Sequence, residues 1–204
     1  MYPKIEEYIT GLENWIIPQT RRQLLQPLID YIRMKRIEEK PIRINFICTH
    51  NSRRSHLAQV WLQTLAHYYG LNEVYCYSGG TETTAVYPVI IATLGKVGFQ
   101  AHLLVDNDNR MYGIKFANDQ YPVILFSKRY DHYLNPSTEF CAVMTCSQAD
   151  EECPIISGAE HRSFIPYEDP KIFDGTPDQE DKYRERCAQI AAEMAYVIRE
   201  SRVS

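Results

Sequence analysis

No run of apolar residues in this sequence approaches the ~20 needed to cross a bilayer, so no membrane partner is expected. Neither sign of charge dominates. The formal charge is −4 and the isoelectric point about 5.9, which leaves no global basic footprint for nucleic acid but permits a local anion site. The opening MYPKIEEYITGLENW lacks a basic stretch followed by an apolar one, so no signal peptide is read and a cytoplasmic address is expected. There is no internal repeat and no low-complexity tract. Glycine and proline are ordinary in number, 9 and 11, beside 45% hydrophobic and 24% charged residues. That composition excludes collagen-like, fibrous and wholly disordered chains. At 204 residues the chain suits one domain with an appendage and buries about 70% of its unfolded surface without covalent staples. The six histidines show no ligand spacing, and neither a metal nor a cofactor is expected.

What is present is an alternation of strand and helix patterns. Residues 1–40 read as a separate helical extension, with one helix from Pro3 to about Leu12 and another from about Pro18 to Arg36. Leu24, Leu25, Leu28, Ile29 and Ile32 recur on one side of the second helix, and Pro27 is expected to kink or break it. The mixed-charge stretch Arg33–Lys40 reads as a solvated helix end. After Pro41, Ile42–Ile47 is a short apolar strand ending at Cys48. Leu57, Trp61 and Leu65 then mark an amphipathic helix ending near Gly70. Val74–Ser78 is a second strand with Gly79-Gly80 as its turn, and Pro88 opens a helix that Gly98 stops. Three short β-like runs between 103 and 127, separated by Asp/Asn clusters, suggest a hairpin-like insertion at about 106–122. Phe140–Thr145 is a strand ending at Cys146, and Ser163–Ile165 a short last one. Thr176, Pro177 and Gln179 form a capping box for a final helix with Tyr183, Cys187, Ile190, Met194, Val197 and Ile198 on its apolar side. Such alternation indicates an α/β protein with a parallel sheet. Active sites of these sheets lie at the carboxyl ends of strands, where Cys48, Ser78 and Cys146 are expected.

The segment Cys48-Thr49-His50-Asn51-Ser52-Arg53-Arg54-Ser55 joins a strand to a helix. A short loop entering a helix turns several backbone N–H groups inward, and these bind an oxyanion. Arg54 adds a planar fork to the same anion. The same donors stabilise a thiolate on Cys48. Ser55 can give the sulfur a hydroxyl hydrogen bond, and Asn51 tolerates the left-handed backbone of a tight cradle. The plainer alternative is a buried strand-end cysteine before a polar turn.

FICTHNSRRSHLAQ resembles the phosphate-loop signature of low-molecular-weight protein tyrosine phosphatases and the related thioredoxin-coupled arsenate reductases. The resemblance implies Cys48 as nucleophile, Arg54 as oxyanion clamp, Ser55 as thiolate stabiliser and Asn51 as loop organiser, with Thr49, His50, Ser52 and Arg53 completing the oxyanion loop. His50 stands where the family usually has glycine, and Arg53 where it usually has cysteine or an apolar residue. CYSGGTETTAVYPVIIATLGKVGF resembles the family's second strand, turn and helix, with Gly79 replacing an alanine. Residues 1–40 and about 106–122 lie outside the resemblance. It also implies a sheet of four parallel strands in the order 2-1-3-4, flanked by helices.

Oxyanion transfer with a leaving oxygen benefits from a general acid. By resemblance Asp169 of Asp169-Pro170 supplies it. Glu168 and Asp174 are minor alternatives, and a plain surface turn is another. Cys146 and Cys153 stand seven residues apart around an acidic stretch, the second followed by proline. The thioredoxin-coupled arsenate reductases resemble this stretch, which implies Cys146 as resolving thiol and Cys153 as terminal thiol, restored by a thioredoxin or glutaredoxin. A structural disulfide or two unrelated thiols have the same sequence. Cys76, Cys141 and Cys187 read as buried apolar residues. The expected activity is reduction of arsenate to arsenite, with phosphate as competitor. The alternatives are a tyrosine phosphatase with a cysteinyl-phosphate intermediate and a binding module without activity.

Overall fold

A computed structural model of the chain describes residues 1–12, 14–152 and 155–202. Two helices, α1 (Pro3–Leu12) and α2 (Gln19–Ile37), precede β1 (Ile42–Cys48), α3 (Arg54–Tyr68), β2 (Val74–Gly80) and α4 (Pro88–Val97). There follow β3 (Gln100–Val105), β4 (Met111–Lys115), β5 (Val123–Leu125), β6 (Phe140–Met144), α5 (Ser147–Glu152), β7 (Ala159–Phe164), a short 3₁₀ turn (Pro170–Phe173) and α6 (Gln179–Arg202). Strands β2-β1-β6-β7 form one parallel sheet. Counting only these strands in chain order, that is 2-1-3-4. The register sets Cys48 opposite Gly80 and Ile47 opposite Met144, so the ends of β1, β2 and β6 converge at one edge.

The stretch read as a hairpin is a separate antiparallel sheet, β3-β4-β5. It begins earlier than the turn signals at Asp106–Asn109 because Gln100–Val105 pairs with β4 while every one of its residues is exposed. An unburied strand carries no one-sided apolar signal.

Helix α3 differs from the expected one-faced helix. Eleven of its residues are buried, including His56, Gln59 and Thr64. It packs on β1 and β2, on α6, and on β5, so little of it meets solvent. Trp61 is fully buried. It stacks on Tyr8 of α1, meets Phe99 edge-on and donates its indole N–H to Cys187 Sγ at 3.2 Å. The apolar faces of α1 and α2 thus enter the same core as the sheet. Ile5, Ile9 and Leu12 of α1 and Leu25, Leu28, Ile29 and Ile32 of α2 are buried in it.

Pro27 does not break α2, which runs unbroken through it. Leu25, Leu28, Ile29 and Ile32 on both sides are fully buried, and their burial outweighs the ~3 kcal/mol that an interior proline costs. The expected solvated end of α2 is also partly engaged. Lys35 is 2% exposed and pairs with Glu160 at 2.5 Å. Arg33 and Arg36 donate to the Glu200 and Ser201 carbonyls at the end of α6, where a helix lacks internal donors. The capping box of α6 is displaced. Thr176 donates its hydroxyl to Phe173 O, and Gln179 accepts from the Gly175 N–H, so the helix starts after Pro177. Among the described residues no helix is long and apolar enough to cross a membrane.

Candidate active site

The loop between β1 and α3 is held from outside by its carbonyls. Cys48 O accepts from Thr81 N–H at 3.1 Å, Thr49 O from Glu82 N–H at 2.8 Å and Ser52 O from Tyr87 N–H at 3.1 Å. His50 O accepts from the Ser127 hydroxyl at 2.8 Å. With the acceptors turned outward, the donors are left for the interior. Among the described residues, no backbone N–H from 49 to 54 enters a backbone hydrogen bond outside regular elements. That is the arrangement of an anion-binding concavity at a helix start.

Asn51 adopts φ 45°, the left-handed conformation expected of it. Its fully buried side chain works in two directions. Oδ1 accepts from Lys128 N–H at 3.0 Å, and Nδ2 donates to Ser55 Oγ at 2.9 Å. Ser55 Oγ, accepting there, has its proton available for Cys48 Sγ at 3.1 Å. A hydrogen bond to the charged sulfur favours the thiolate.

Arg54, at the start of α3, reaches the segment before the last helix. Its Nη1 donates to Tyr167 O at 2.9 Å and its Nη2 to Asp169 Oδ2 at 2.6 Å. Asp169 therefore stands beside the loop, and its other oxygen accepts from Lys171 N–H at 3.0 Å. Of the two alternatives to it, Glu168 is 90% exposed and pairs with Arg186. Asp174 is taken up by Arg53 at 2.5 Å and the Tyr183 hydroxyl at 2.6 Å.

Arg53 was expected to complete the oxyanion loop. Its guanidinium is instead engaged by Asp174 and Tyr183 and lies 4.0 Å from the Tyr87 ring centre. It thereby ties the loop to α6. His50 stands at the rim, 36% exposed and 3.5 Å from Glu82. Thr49 and Ser52 are buried within the loop.

Cys146, just past β6, is 4% exposed and shares a buried cluster with Cys48, Ile47, Met144 and Ala149. Its sulfur lies 3.4 Å from Thr49 Oγ1, so a second thiol sits against the loop residue that follows the first. Cys153 lies outside the described residues. Cys76, Cys141 and Cys187 are buried, and none of them forms part of the loop. Burial pushes the Cys141 and Cys187 thiols up to about 12 and that of Cys76 well above its ordinary value, which keeps them as inert thiols at neutral pH. Ser78, expected at a strand end, holds His56 Nδ1 at 3.1 Å beneath the loop. Burial, with Lys128 nearby, pushes that imidazole down to about 3.

Several supports of the site were not read from the sequence. A Cβ on Gly79 would lie 2.3 Å from Tyr130 Cα, and one on Gly80 2.6 Å from Thr49 O. The glycine replacing alanine at 79 thus follows from the close approach of the Lys128–Tyr130 segment. Arg21 of α2 forks onto Glu193 at 2.8 and 2.7 Å, donates to Pro166 O at 2.9 Å and covers the Tyr167 ring. The N-terminal helices therefore brace the segment that carries Asp169. Only the Gly79-Gly80 pair offered a local signal. Ser127 and Arg21 act from far along the chain. Among the described residues no group of three His, Cys, Asp or Glu side chains is placed to hold a metal.

Residues 43–110 match the family model described as low molecular weight phosphotyrosine protein phosphatase. No curated protein matches the sequence. Among solved structures, the fold is similar to a low-molecular-weight phosphotyrosine phosphatase from Vibrio cholerae O395, at 15% identity and TM-score 0.52, over 78% of this chain and 95% of that one. It is similar to an arsenate reductase from Archaeoglobus fulgidus, at 17% identity and TM-score 0.51, over 76% and 98%. A low-molecular-weight protein tyrosine phosphatase from T. tengcongensis gives 15% identity and TM-score 0.53, over 78% and 98%. The matched segment runs through the cysteine loop, and the parallel 2-1-3-4 sheet flanked by helices is the fold of the low-molecular-weight phosphotyrosine phosphatases.

Proposed function

We propose that the protein reduces arsenate to arsenite with thiols, using Cys48 as nucleophile and Cys146 as resolving thiol. The observation that carries this reading is the placement of Cys146 beside Thr49 in the same buried cluster as Cys48. Ester hydrolysis has no use for a second thiol there. Arsenate binds the inward N–H groups of residues 49–54 and the Arg54 guanidinium, which exchanges Asp169 for the anion. The Cys48 thiolate attacks arsenic. An arsenic oxygen leaves as water, with a proton from Asp169, and a Cys48–S–arsenic(V) adduct remains. The Cys146 thiolate then attacks the Cys48 sulfur. The sulfur–arsenic electron pair departs with arsenic, which becomes arsenite, and a Cys48–Cys146 disulfide forms. By the sequence resemblance, Cys153 attacks Cys146 next, frees Cys48 and leaves a disulfide that a thioredoxin or glutaredoxin reduces.

A second reading has its own observation. Asp169 beside Arg54 at 2.6 Å suits a phosphatase, in which Cys48 takes the phosphoryl group and Asp169 protonates the leaving alcohol. The two readings separate in one assay pair. In arsenate reduction coupled to thioredoxin and its NADPH-dependent reductase, Cys146→Ser abolishes NADPH consumption. In hydrolysis of an aryl phosphate the same variant leaves the rate near wild type. Aryl phosphatase activity without arsenate-dependent turnover, with either thioredoxin or glutaredoxin, overturns the reductase reading.

A further inference from the structure

Away from the cysteine loop lies a cleft of about 530 Å³ between β2, the edge of the parallel sheet, and β5 of the antiparallel one. That volume is in the range of small-molecule sites, roughly 300–1,000 Å³.

The edge of β2 is already closed to another strand. Gln63 Nε2 donates to Val74 O at 2.9 Å, Cys76 N–H donates to Gln63 Oε1 at 2.9 Å, and Gln59 Nε2 donates to Cys76 O at 3.1 Å. The glutamines of α3 thus supply the partners an added strand would bring, and pairing of a peptide along this edge is disfavoured. What remains open is a cavity of side chains.

Its walls include Tyr75, Tyr77, Phe116 and Phe126. Lys128 lines it too and is 4% exposed. The Lys128 ammonium makes no ion pair or hydrogen bond with a described residue. It lies over the Phe126 ring, 4.8 Å from its centre. Burial pushes the amine down to about 8, with no carboxylate opposing the shift. The titratable neighbours that respond to it are His56 and His132, both pushed down by burial first and by Lys128 second. A buried cation without a counter-charge is costly. A second polar group in the cleft is also unpartnered. Asn135 is 7% exposed, its Nδ2 donates to the Ser78 and Tyr130 carbonyls, and its buried Oδ1 accepts no hydrogen bond. Buried polar atoms are normally satisfied. An aromatic chamber with one unmatched cation and one unmatched acceptor calls for an aromatic anion that carries a hydrogen-bond donor.

We propose that this cleft is a binding site for a small aromatic carboxylate bearing a hydroxyl or amino group, with the carboxylate on Lys128 and the ring among Tyr77, Phe116 and Phe126. A single amine, with no arginine in the cleft, matches a singly charged carboxylate better than a doubly charged phosphate.

The test uses 4-hydroxybenzoate as probe and its uncharged methyl ester as comparison, with binding followed by protein NMR shifts on the full chain. The expected result is saturable binding of the acid below about 10 mM and at least tenfold weaker binding of the ester. Lys128→Met is expected to lose about tenfold for the acid and nothing for the ester. Saturating inorganic phosphate, which occupies the cysteine loop, leaves the acid bound. Equal affinity for acid and ester on the wild-type protein, displacement by phosphate, or absence of saturation overturns the proposal without recourse to the variant.

Discussion

Ser55→Ala removes one oxygen and, with it, the hydrogen bond to the nucleophile. In the folded protein Asn51 Nδ2 donates to Ser55 Oγ at 2.9 Å, so the Ser55 proton is directed at Cys48 Sγ 3.1 Å away. The relay has one sense because an amide nitrogen only donates. A hydrogen bond to a charged group is worth about 1.5–3 kcal/mol. Every 1.4 kcal/mol is tenfold, so loss of the bond is expected to slow attack by the Cys48 sulfur by about 10- to 150-fold. The readout is the rate of Cys48 carbamidomethylation by iodoacetamide at neutral pH, scored by mass on the peptide that holds Cys48. Cys76, Cys141 and Cys187 are buried and their thiols are shifted upward, so they do not compete. Asn51→Ala acts through the same hydroxyl, and the double variant should fall well short of the product of the two single effects. An alkylation rate for Ser55→Ala within about twofold of wild type would refute the claim that this hydroxyl sets the reactivity of the sulfur.

Three further outcomes are expected. Asp169→Asn should slow hydrolysis of an aryl phosphate by about 10²–10⁴-fold while phosphate binding persists; a phosphate ester with a leaving group that needs no proton should be much less affected. Arg21→Ala leaves Glu193, 2% exposed, without its cation, which costs roughly 3–5 kcal/mol of stability in urea unfolding and lowers turnover through the loosened Pro166–Asp169 segment; Arg21→Lys restores the charge but not the fork. His56 is neutral in the folded protein, pushed down to about 3 from an ordinary 6.5 by burial. The unfolded chain therefore binds the extra proton first, and stability is lost as pH falls from about 6.5 towards 3, by up to roughly 5 kcal/mol. His56→Gln should flatten that acid limb in urea midpoints measured at successive pH values, and an unchanged slope contradicts a buried neutral His56.

The parts of the molecule legible in the sequence are those where one segment decides its own structure. Ile42–Cys48 is an apolar run bounded by Pro41 and a polar loop, and it is a strand of those residues. Pro88 and Gly98 bracket α4 because each acts on its own backbone. Asn51 was legible for the same reason, as a residue that tolerates φ 45°. The parts that were not legible depend on what another segment brings. Arg53 reads as a spare cation at the loop until Asp174 and Tyr183, more than a hundred residues later, take it up. The amphipathic reading of α3 fails because β5 and α6 cover the sides a three-layer packing leaves open. The brace from Arg21 to Pro166 and Glu193 joins three elements, and nothing at Arg21 itself announces it.

The reductase reading turns on whether Cys146 attacks the Cys48 sulfur, and a single turnover tests this directly. Cys153→Ser protein, fully reduced and freed of excess thiol, is mixed with one equivalent of arsenate, quenched with acid and mapped by mass for disulfide-linked peptides. The account predicts one arsenite formed per protein and a disulfide joining Cys48 to Cys146. Thiols that all remain reduced, or arsenite formed with a disulfide that excludes Cys146, would contradict it.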